Sequence, residues 1–342
     1  MKKIMVVLMV CLMVLNGCTK DNTQDYTKVS NQTYLLGTLV KVTVYGKDVS
    51  KEVFNGAFDI IKNIEATVSK NEDNSEVSQI NKGQEISLSE STYKIIEKGL
   101  YYSQVSKGKF DITIAPLVNL WGIGTKNAKV PSHEEIQEAI KKINYKHITL
   151  DQKTNKIQIH QPIELDLGAI AKGYVADEVS AYLMEHNMGH AIINLGGNIL
   201  TVGEKPDGSS WKIGIQNPFD ARGTKLGVVT IGQKSVVTSG IYERYLEEGD
   251  KQYHHILDPF TGYPVENELA SVSIISNLSI DGDGLSTVVF SMGLEEGFDF
   301  IEGLDEVDAI FVTKDKEVYL TSGADEIFML THEDFKKKQM KK

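Results

Sequence analysis

Apolar and polar positions alternate with two different periods along this chain, and the two periods mark out its elements. From Tyr34 to Tyr45 the pattern alternates loosely through Leu39, Val40, Val42 and Val44 and predicts a strand. Leu36-Gly37-Thr38 falls inside that strand, and a glycine there marks a bulge or a close backbone approach. Helical spacing follows over Lys51 to Val68 (Phe54, Ala57, Phe58, Ile61, Ile64) and over Ser89 to Val105 (Tyr93, Ile96, Leu100). A third helix is predicted over Ser132 to Ile143, with Ser132 as N-cap and Glu135 completing a capping box. A fourth runs from about Ala169 to His186 on Val175, Val179, Tyr182 and Leu183. Short strands are read at Ile148 to Leu150 with Lys156 to His160 as a hairpin, then at Ala191 to Leu195, Trp211 to Ile215, Gly227 to Ile231, Ser235 to Thr238 and Ser271 to Ser276. Helical segments around Asp281 to Met292 and Leu294 to Leu304 precede a closing hairpin, Ala309 to Val312 with Glu317 to Leu320. The segment Phe110 to Gly124 is apolar, carries Pro116 and ends in a glycine-flanked Trp121. It reads as a core strand and buried turn, or as a wall of apolar and backbone groups for a flat aromatic ligand. The pattern alone leaves a two-domain α/β arrangement open.

The ends of the chain follow different rules. Lys2 and Lys3 precede an apolar run, Ile4 to Leu15, that is too short to span a membrane. Leu15-Asn16-Gly17-Cys18 then resembles a bacterial lipoprotein signal, which makes residues 1–17 a removed leader and Cys18 a lipidated first residue. The expected location is therefore the extracytoplasmic face of the cell membrane, reached through a lipid anchor. Residues 18–31 read as a polar tether, 32–332 as the folded domain and 333–342 as a basic, frayed tail. Without Lys2 and Lys3 the net charge falls from −11 to −13, which argues against nucleic-acid binding. Cys11 and Cys18 are the only cysteines, so the domain has no thiol for catalysis or for a zinc site.

Candidate chemistry gathers at a few stretches. In Leu165-Asp166-Leu167-Gly168-Ala169-Ile170-Ala171-Lys172-Gly173 a helix begins, and its first-turn N–H groups together with Lys172 suit a phosphate. No G-x-G-x-x-G lies between a strand and a helix, so a dinucleotide fingerprint is absent. Adjacent His254 and His255 on a strand point to opposite faces, so one at most faces a pocket. Asp281 or Asp283 caps a helix, or Asp283 and Thr287, four apart and both oxygen donors, form a site for a hard metal ion.

Taken in order, Leu36-Gly37-Thr38, Asp111 to Gly124, Asp166 to Tyr174, Leu195-Gly196-Gly197-Asn198, Thr238-Ser239-Gly240, His255 to Pro259 and Asp283-Gly284-Leu285-Ser286-Thr287 resemble the FAD:protein FMN transferases, the ApbE-type flavin transferases. The resemblance spans about Tyr34 to Leu330 and implies a single α+β domain with antiparallel sheets and flanking helices. It implies Mg²⁺-dependent transfer of FMN from FAD to a Ser or Thr hydroxyl of an acceptor protein, a membrane or surface electron-transfer protein, with release of AMP. Metal ligands then match the Ala169 carbonyl and the Asp283 and Thr287 side chains, with Ser286 beside them. Leu36, the run Asp111, Ile112, Thr113 and Ile114, and Leu257 match positions lining the FAD site, and Lys172 matches a contact to the flavin nucleotide. His255 matches the proton acceptor, which predicts a rate rising with pH near histidine's ordinary pKa of about 6.5. Gly284 stands where the family commonly has alanine, and Leu36 where it commonly has methionine. Two other functions remain compatible with these residues: a Mg²⁺-dependent FAD hydrolase, and a non-catalytic flavin- or solute-binding lipoprotein.

Overall fold

The computed structural model describes residues 26–340, so the leader and Cys18 lie outside the described residues. Strand β1 (Thr27–Leu35) and strand β2 (Thr38–Gly46) form an antiparallel hairpin in which Leu35 pairs with Thr38. The single strand expected over Tyr34 to Tyr45 is thus two. Leu36 and Gly37 form the two-residue turn, with φ of 54° and 65°, because such tight hairpins need positive φ at both positions. Residues 27–31 belong to β1, which shortens the expected tether. On β2, Val40, Val42 and Val44 are fully buried. A one-residue slip would bring Lys41 and Thr43 inward in their place.

Helices α1 (Lys51–Val68), α2 (Glu76–Asn81) and α3 (Glu90–Val105) follow; the Oγ atoms of Ser75 and Ser89 cap α2 and α3. Helix α4 (Ala115–Trp121) replaces the core strand expected in the Phe110 segment. Pro116 fits its first turn and Gly122, at φ 59°, ends it. Helix α5 (His133–Ile140) carries the expected capping box between Ser132 and Glu135. A hairpin, β3 (Ile148–Asp151) and β4 (Lys156–Ile159), leads to α6 (Ala171–Glu185). Next come β5 (Ala191–Leu195), β6 (Asn198–Val202), β7 (Trp211–Gln216), β8 (Lys225–Ile231) and β9 (Ser235–Gly240). The arm β10 (Tyr245–Glu248) and β11 (Lys251–His254) precedes β12 (Leu269–Ser276), α7 (Ser279–Met292) and α8 (Leu294–Glu302). The chain ends with β13 (Asp308–Thr313), β14 (Glu317–Leu320), α9 (Ser322–Ile327), β15 (Phe328–Leu330) and β16 (Lys336–Lys338).

Nine strands form one sheet in the order β1-β2-β5-β6-β9-β12-β13-β14-β16. Its pairings are antiparallel except the last, in which β14 and β16 run parallel. The tail expected to fray is therefore partly a strand. Phe335, 4% exposed, anchors it, and Lys338 pairs with Glu317 at 3.1 Å. One face of the sheet packs on α1, α3, α6, α7 and α8; the other packs on a three-stranded sheet, β15-β8-β7, through Ile275, Ile310, Val312, Trp211 and Val229. Two layers of apolar side chains on the two faces of a single sheet make this one α+β domain. On the first face α6 lies across β5 and β6, and α7 across β9 and β12. Among the described residues no helix is long and apolar enough to cross a membrane.

Candidate functional site

The site is built where α6 meets α7. Asp283 stands one turn inside α7, 4% exposed, so it does not cap its own helix. Its Oδ2 accepts the Gly173 N–H of α6 at 2.8 Å, and its Oδ1 lies 3.4 Å from Lys172 Nζ. Lys172 Nζ also donates to the Gly168 carbonyl at 3.2 Å. Asp281 does not cap either: it accepts from Tyr102 Oη at 2.6 Å and pairs with Lys98 at 2.6 Å. The loop before α6 is held by Asp166, which accepts the Gly168 N–H at 2.8 Å and pairs with Lys70 at 3.0 Å. That loop carries Ala169, and its peptide at Asp166 is fastened to the Ile112 carbonyl at 2.8 Å.

Hydroxyl groups line the α7 side. Ser286 Oγ donates to the Asp283 carbonyl at 2.9 Å and lies 2.8 Å from Ser239 Oγ, which is 3.4 Å from Thr287 Oγ1. Among the described residues no three His, Cys, Asp or Glu side chains converge, so a soft-metal cage is missing. One buried carboxylate, hydroxyls and backbone carbonyls instead suit an ion that keeps waters and takes phosphate oxygens. An ammonium already rests against two such oxygens, Asp283 Oδ1 and the Gly168 carbonyl.

Strand β11 ends at His254 and His255 lies just past it, so only His254 is on the expected strand, yet the two rings still face different ways. His254 faces inward: Nε2 bonds the Val265 carbonyl at 3.0 Å, Nδ1 receives the Ile256 N–H at 3.3 Å, and the ring stands edge-on to Phe290. Both its nitrogens are engaged. His255 is half-buried and bonds the Arg244 carbonyl through Nδ1 at 3.2 Å. A donating Nδ1 leaves Nε2 as the acceptor. Burial first, then the charges of Arg244, His254 and Lys172, push the His255 imidazole down to about 4, well below the value expected from sequence.

The predicted flavin-lining residues are placed unequally. Leu36 sits on the β1–β2 turn, its N–H held by Glu65 at 2.9 Å, and the Thr38 side chain fills the space above Gly196. Leu257 is buried beside Leu117 and Trp121. Ile114 is half-buried, whereas Ile112 is buried and packs against Gly99. The polar groups of the Asp111–Thr113 turn point into the protein. Asp111 accepts the Thr113 N–H at 2.8 Å, the Thr113 hydroxyl at 2.7 Å and the Tyr145 N–H at 3.0 Å. Burial raises its carboxyl despite those bonds. This turn offers a ligand its shape and apolar edge rather than its carboxylate.

Sequence reading passed over several neighbours. The chain's only arginines, Arg222 and Arg244, both lie here. Arg222 Nη2 donates to the Gly196 carbonyl at 2.8 Å, and the Arg244 side chain lies along Gly124. Part of Glu243 reaches solvent, yet the atoms crowded around its carboxyl push it up against the pull of Arg222, Lys172 and Arg244. The scarcity of arginine in a lysine-rich chain was the available signal, since arginine is the side chain suited to forked anion contacts.

Comparison with known proteins gives the family of the chain. The model of the ApbE family matches residues 36–311. An FAD:protein FMN transferase of Klebsiella pneumoniae is 39% identical over 302 residues, covering 87% of this chain and 93% of that protein. One of Treponema pallidum is 33% identical over 309 residues, covering 84% and 85%. The crystal structure of the ApbE protein from Thermotoga maritima superposes with a TM-score of 0.80 at 28% identity, covering 88% of this chain and 99% of that one. The flavin transferase ApbE from Vibrio cholerae gives 0.79 at 26% identity, with the same coverage. This chain belongs to the ApbE family.

Proposed function

We propose that this protein transfers FMN from FAD to a Ser or Thr hydroxyl of an acceptor protein, with Mg²⁺ as cofactor. The observation that carries the reading is the meeting of Asp283, the first turn of α6 with Lys172, and the hydroxyls of Ser286 and Thr287 at one helix crossing. Asp283, Thr287 and the Ala169 carbonyl, with Ser286 beside them, would hold Mg²⁺, which when bound neutralises pyrophosphate charge. Lys172, at the positive end of α6, binds and orients the pyrophosphate. Leu36, Ile114 and Leu257, together with the turn of Asp111, Ile112 and Thr113, seat the isoalloxazine ring. His255 Nε2 takes the proton of the acceptor hydroxyl as its oxygen bonds to the FMN phosphorus. The bond from that phosphorus to the bridging oxygen breaks, and AMP leaves with the oxygen. An imidazole held neutral by its surroundings is ready for that proton at neutral pH.

The acceptor is a membrane or surface electron-transfer protein, and lipidation at Cys18 holds the enzyme on the extracytoplasmic face beside it. The test is to incubate purified protein with FAD, Mg²⁺ and a flavinylatable acceptor domain, then look for flavin fluorescence on the denatured acceptor. FMN and AMP without labelled acceptor would identify a hydrolase instead. Intact FAD, bound but never cleaved, would identify a binding protein.

A further inference from the structure

Neither helix of the site caps itself. The N-cap positions of α6 and α7 are Ile170 and Leu278, and neither makes a side-chain cap. Unpaired first-turn N–H groups buried at a helix crossing need partners. Each helix finds them on the other. Asp177 of α6 accepts the Ser279 N–H at 2.8 Å through Oδ1 and the Ile280 N–H at 2.9 Å through Oδ2. Asp283 of α7 accepts the Gly173 N–H, third in α6, at 2.8 Å. Asp177 lies one turn beyond Gly173, and Asp283 one turn beyond Ser279. The two helices therefore run antiparallel through the contact and exchange caps. They touch closely enough that a Cβ on Gly173 would lie 2.3 Å from the Ser279 carbonyl oxygen and 2.5 Å from Ile280 Cα.

We infer that Asp177 is a positioning residue of the site: by gripping the first turn of α7 it sets where the Asp283 carboxylate stands over α6. The α7 carboxylate next to these N–H groups is already taken. Asp281, the nearest in sequence, is committed to Tyr102 and Lys98 on the opposite side of α7. Losing the grip lets α7 slide along α6, and the partner that feels the slide is Asp283. The consequence for metal binding rests on the reading of Asp283 as a metal ligand; the consequence for Gly173 does not.

The test uses the mature chain with Asp177→Asn, which keeps the shape but can accept only one of the two N–H groups well. In the metal-free protein, amide hydrogen exchange read by NMR should quicken at Ser279 and Ile280 and also at Gly173, whose own partner is untouched. Titration with Mg²⁺ alone should show a dissociation constant raised ~10-fold or more, the scale for losing a group that orients a metal ligand. Leu278, exposed and extended at the N-cap of α7, allows the sharper experiment. Adding Leu278→Ser supplies a local cap, so the double variant should regain melting temperature without regaining Gly173 protection or Mg²⁺ affinity. It also restores a measurable fold if Asp177→Asn alone is too unstable. Recovery of all three by the local cap, or faster exchange confined to Ser279 and Ile280 in the single variant, would overturn the inference and leave Asp177 an ordinary cap. Asp283→Ala separates the two readings: unchanged Mg²⁺ affinity there removes the metal assignment, while Gly173 exchange still decides the exchange of caps.

Discussion

The two sides of the site are built on opposite plans. At the α6–α7 crossing the partners are backbone N–H groups and short buried carboxylates, and Gly173 leaves no space at all. Across from it, at the rim, a Cβ on Gly197 would have as its nearest neighbours the tips of Arg222 and Glu243, 3.9 and 4.0 Å away. Long side chains with exposed ends can rearrange around a ligand; a carboxylate clamped between two helices cannot. Under the proposed function, the groups that would meet the pyrophosphate belong to the first plan.

A methyl group tests that contrast most severely. Gly173→Ala places its Cβ against main chain, which has no flexible end to yield, so the helices must part. The expected loss is about 3 kcal/mol or more of unfolding free energy, at or beyond the upper end of ordinary overpacking. Gly197→Ala meets only an unfavourable backbone conformation, at φ 113°, and open space. About 1–2 kcal/mol is expected there. Urea unfolding of both variants gives the comparison directly. Equal losses would mean that the crossing is no more rigid than the rim.

His255 feels charge from both sides, from Lys172 and from Arg244, and its pH behaviour sharpens the contrast. His255→Ala should lower the transfer rate by about 10²–10⁴-fold with little change in FAD affinity, the range for a lost general base. His254→Ala should act on stability instead, since its ring is engaged on both nitrogens within the core. Because burial and then Arg244 depress His255, the wild-type rate should fall only below about pH 4, as the imidazole gains its proton. Arg244→Gln should move that limb upward by only part of the distance to 6.5, since burial is the larger cause. A separate limb near 6 that disappears in Asp177→Asn would belong to the exchanged caps, where burial pushes the Asp177 carboxyl up to about 6. A wild-type limb at 6.5 that Arg244→Gln leaves in place would show His255 to be open to water in solution.

Which parts of this were legible beforehand follows from distance along the chain. Local signals read well: the apolar face of α1, the Ser132–Glu135 capping box and the strand before Gly196-Gly197 all depend on neighbours within a few residues. Helix α4 was missed because a short apolar run has no period to distinguish strand from helix. Three lysines in β16 carry no apolar pattern; Phe335 beside them does the anchoring. Motif order pointed to Asp283 and Lys172, which the fold brings within 3.4 Å of each other, but Asp283 also read as a possible cap for its own helix. Its actual partner lies 110 residues away, and the group that does cap α7 lies 102 residues away. No local pattern encodes such a pair.

Gly284 offers a milder probe of α7, where the helix meets Tyr102 of α3. A Cβ there would lie 2.5 Å from Tyr102 Cδ2, and the Tyr102 hydroxyl holds Asp281 at 2.6 Å. The glycine is thus fitted to the tyrosine. Gly284→Ala should destabilise by about 1–3 kcal/mol by forcing the ring aside. Combining it with Tyr102→Leu should make the pair less harmful than the sum of the single changes. Strict additivity in a denaturant double-mutant cycle would mean that Tyr102 does not dictate the glycine.

The smallest expected effect lies at the rim, at Leu36. A leucine at φ 54° occupies the left-handed region that favours glycine or asparagine, in a turn that selects for those residues. Such a residue is strained by roughly 1 kcal/mol or more, and a fold keeps it where the side chain is needed. Leu36→Gly relieves the strain but adds freedom to the unfolded chain, so the net gain in stability should stay within about 1 kcal/mol. Flavin affinity should move the other way, because the apolar contact with the ring is lost. Riboflavin, which lacks the pyrophosphate, reads that contact alone, so its dissociation constant should rise by at least as large a factor as that of FAD. Lys172→Ala should show the reverse preference, weakening FAD and sparing riboflavin. Titrating both ligands into both variants therefore asks whether ring and phosphate are bound by separate plans. If Leu36→Gly stabilises the protein and leaves riboflavin binding intact, the strained turn serves something other than the flavin. If the variant is instead less stable, the leucine is held by its partial packing on the main core, and the rim is stiffer than its open glycine suggests.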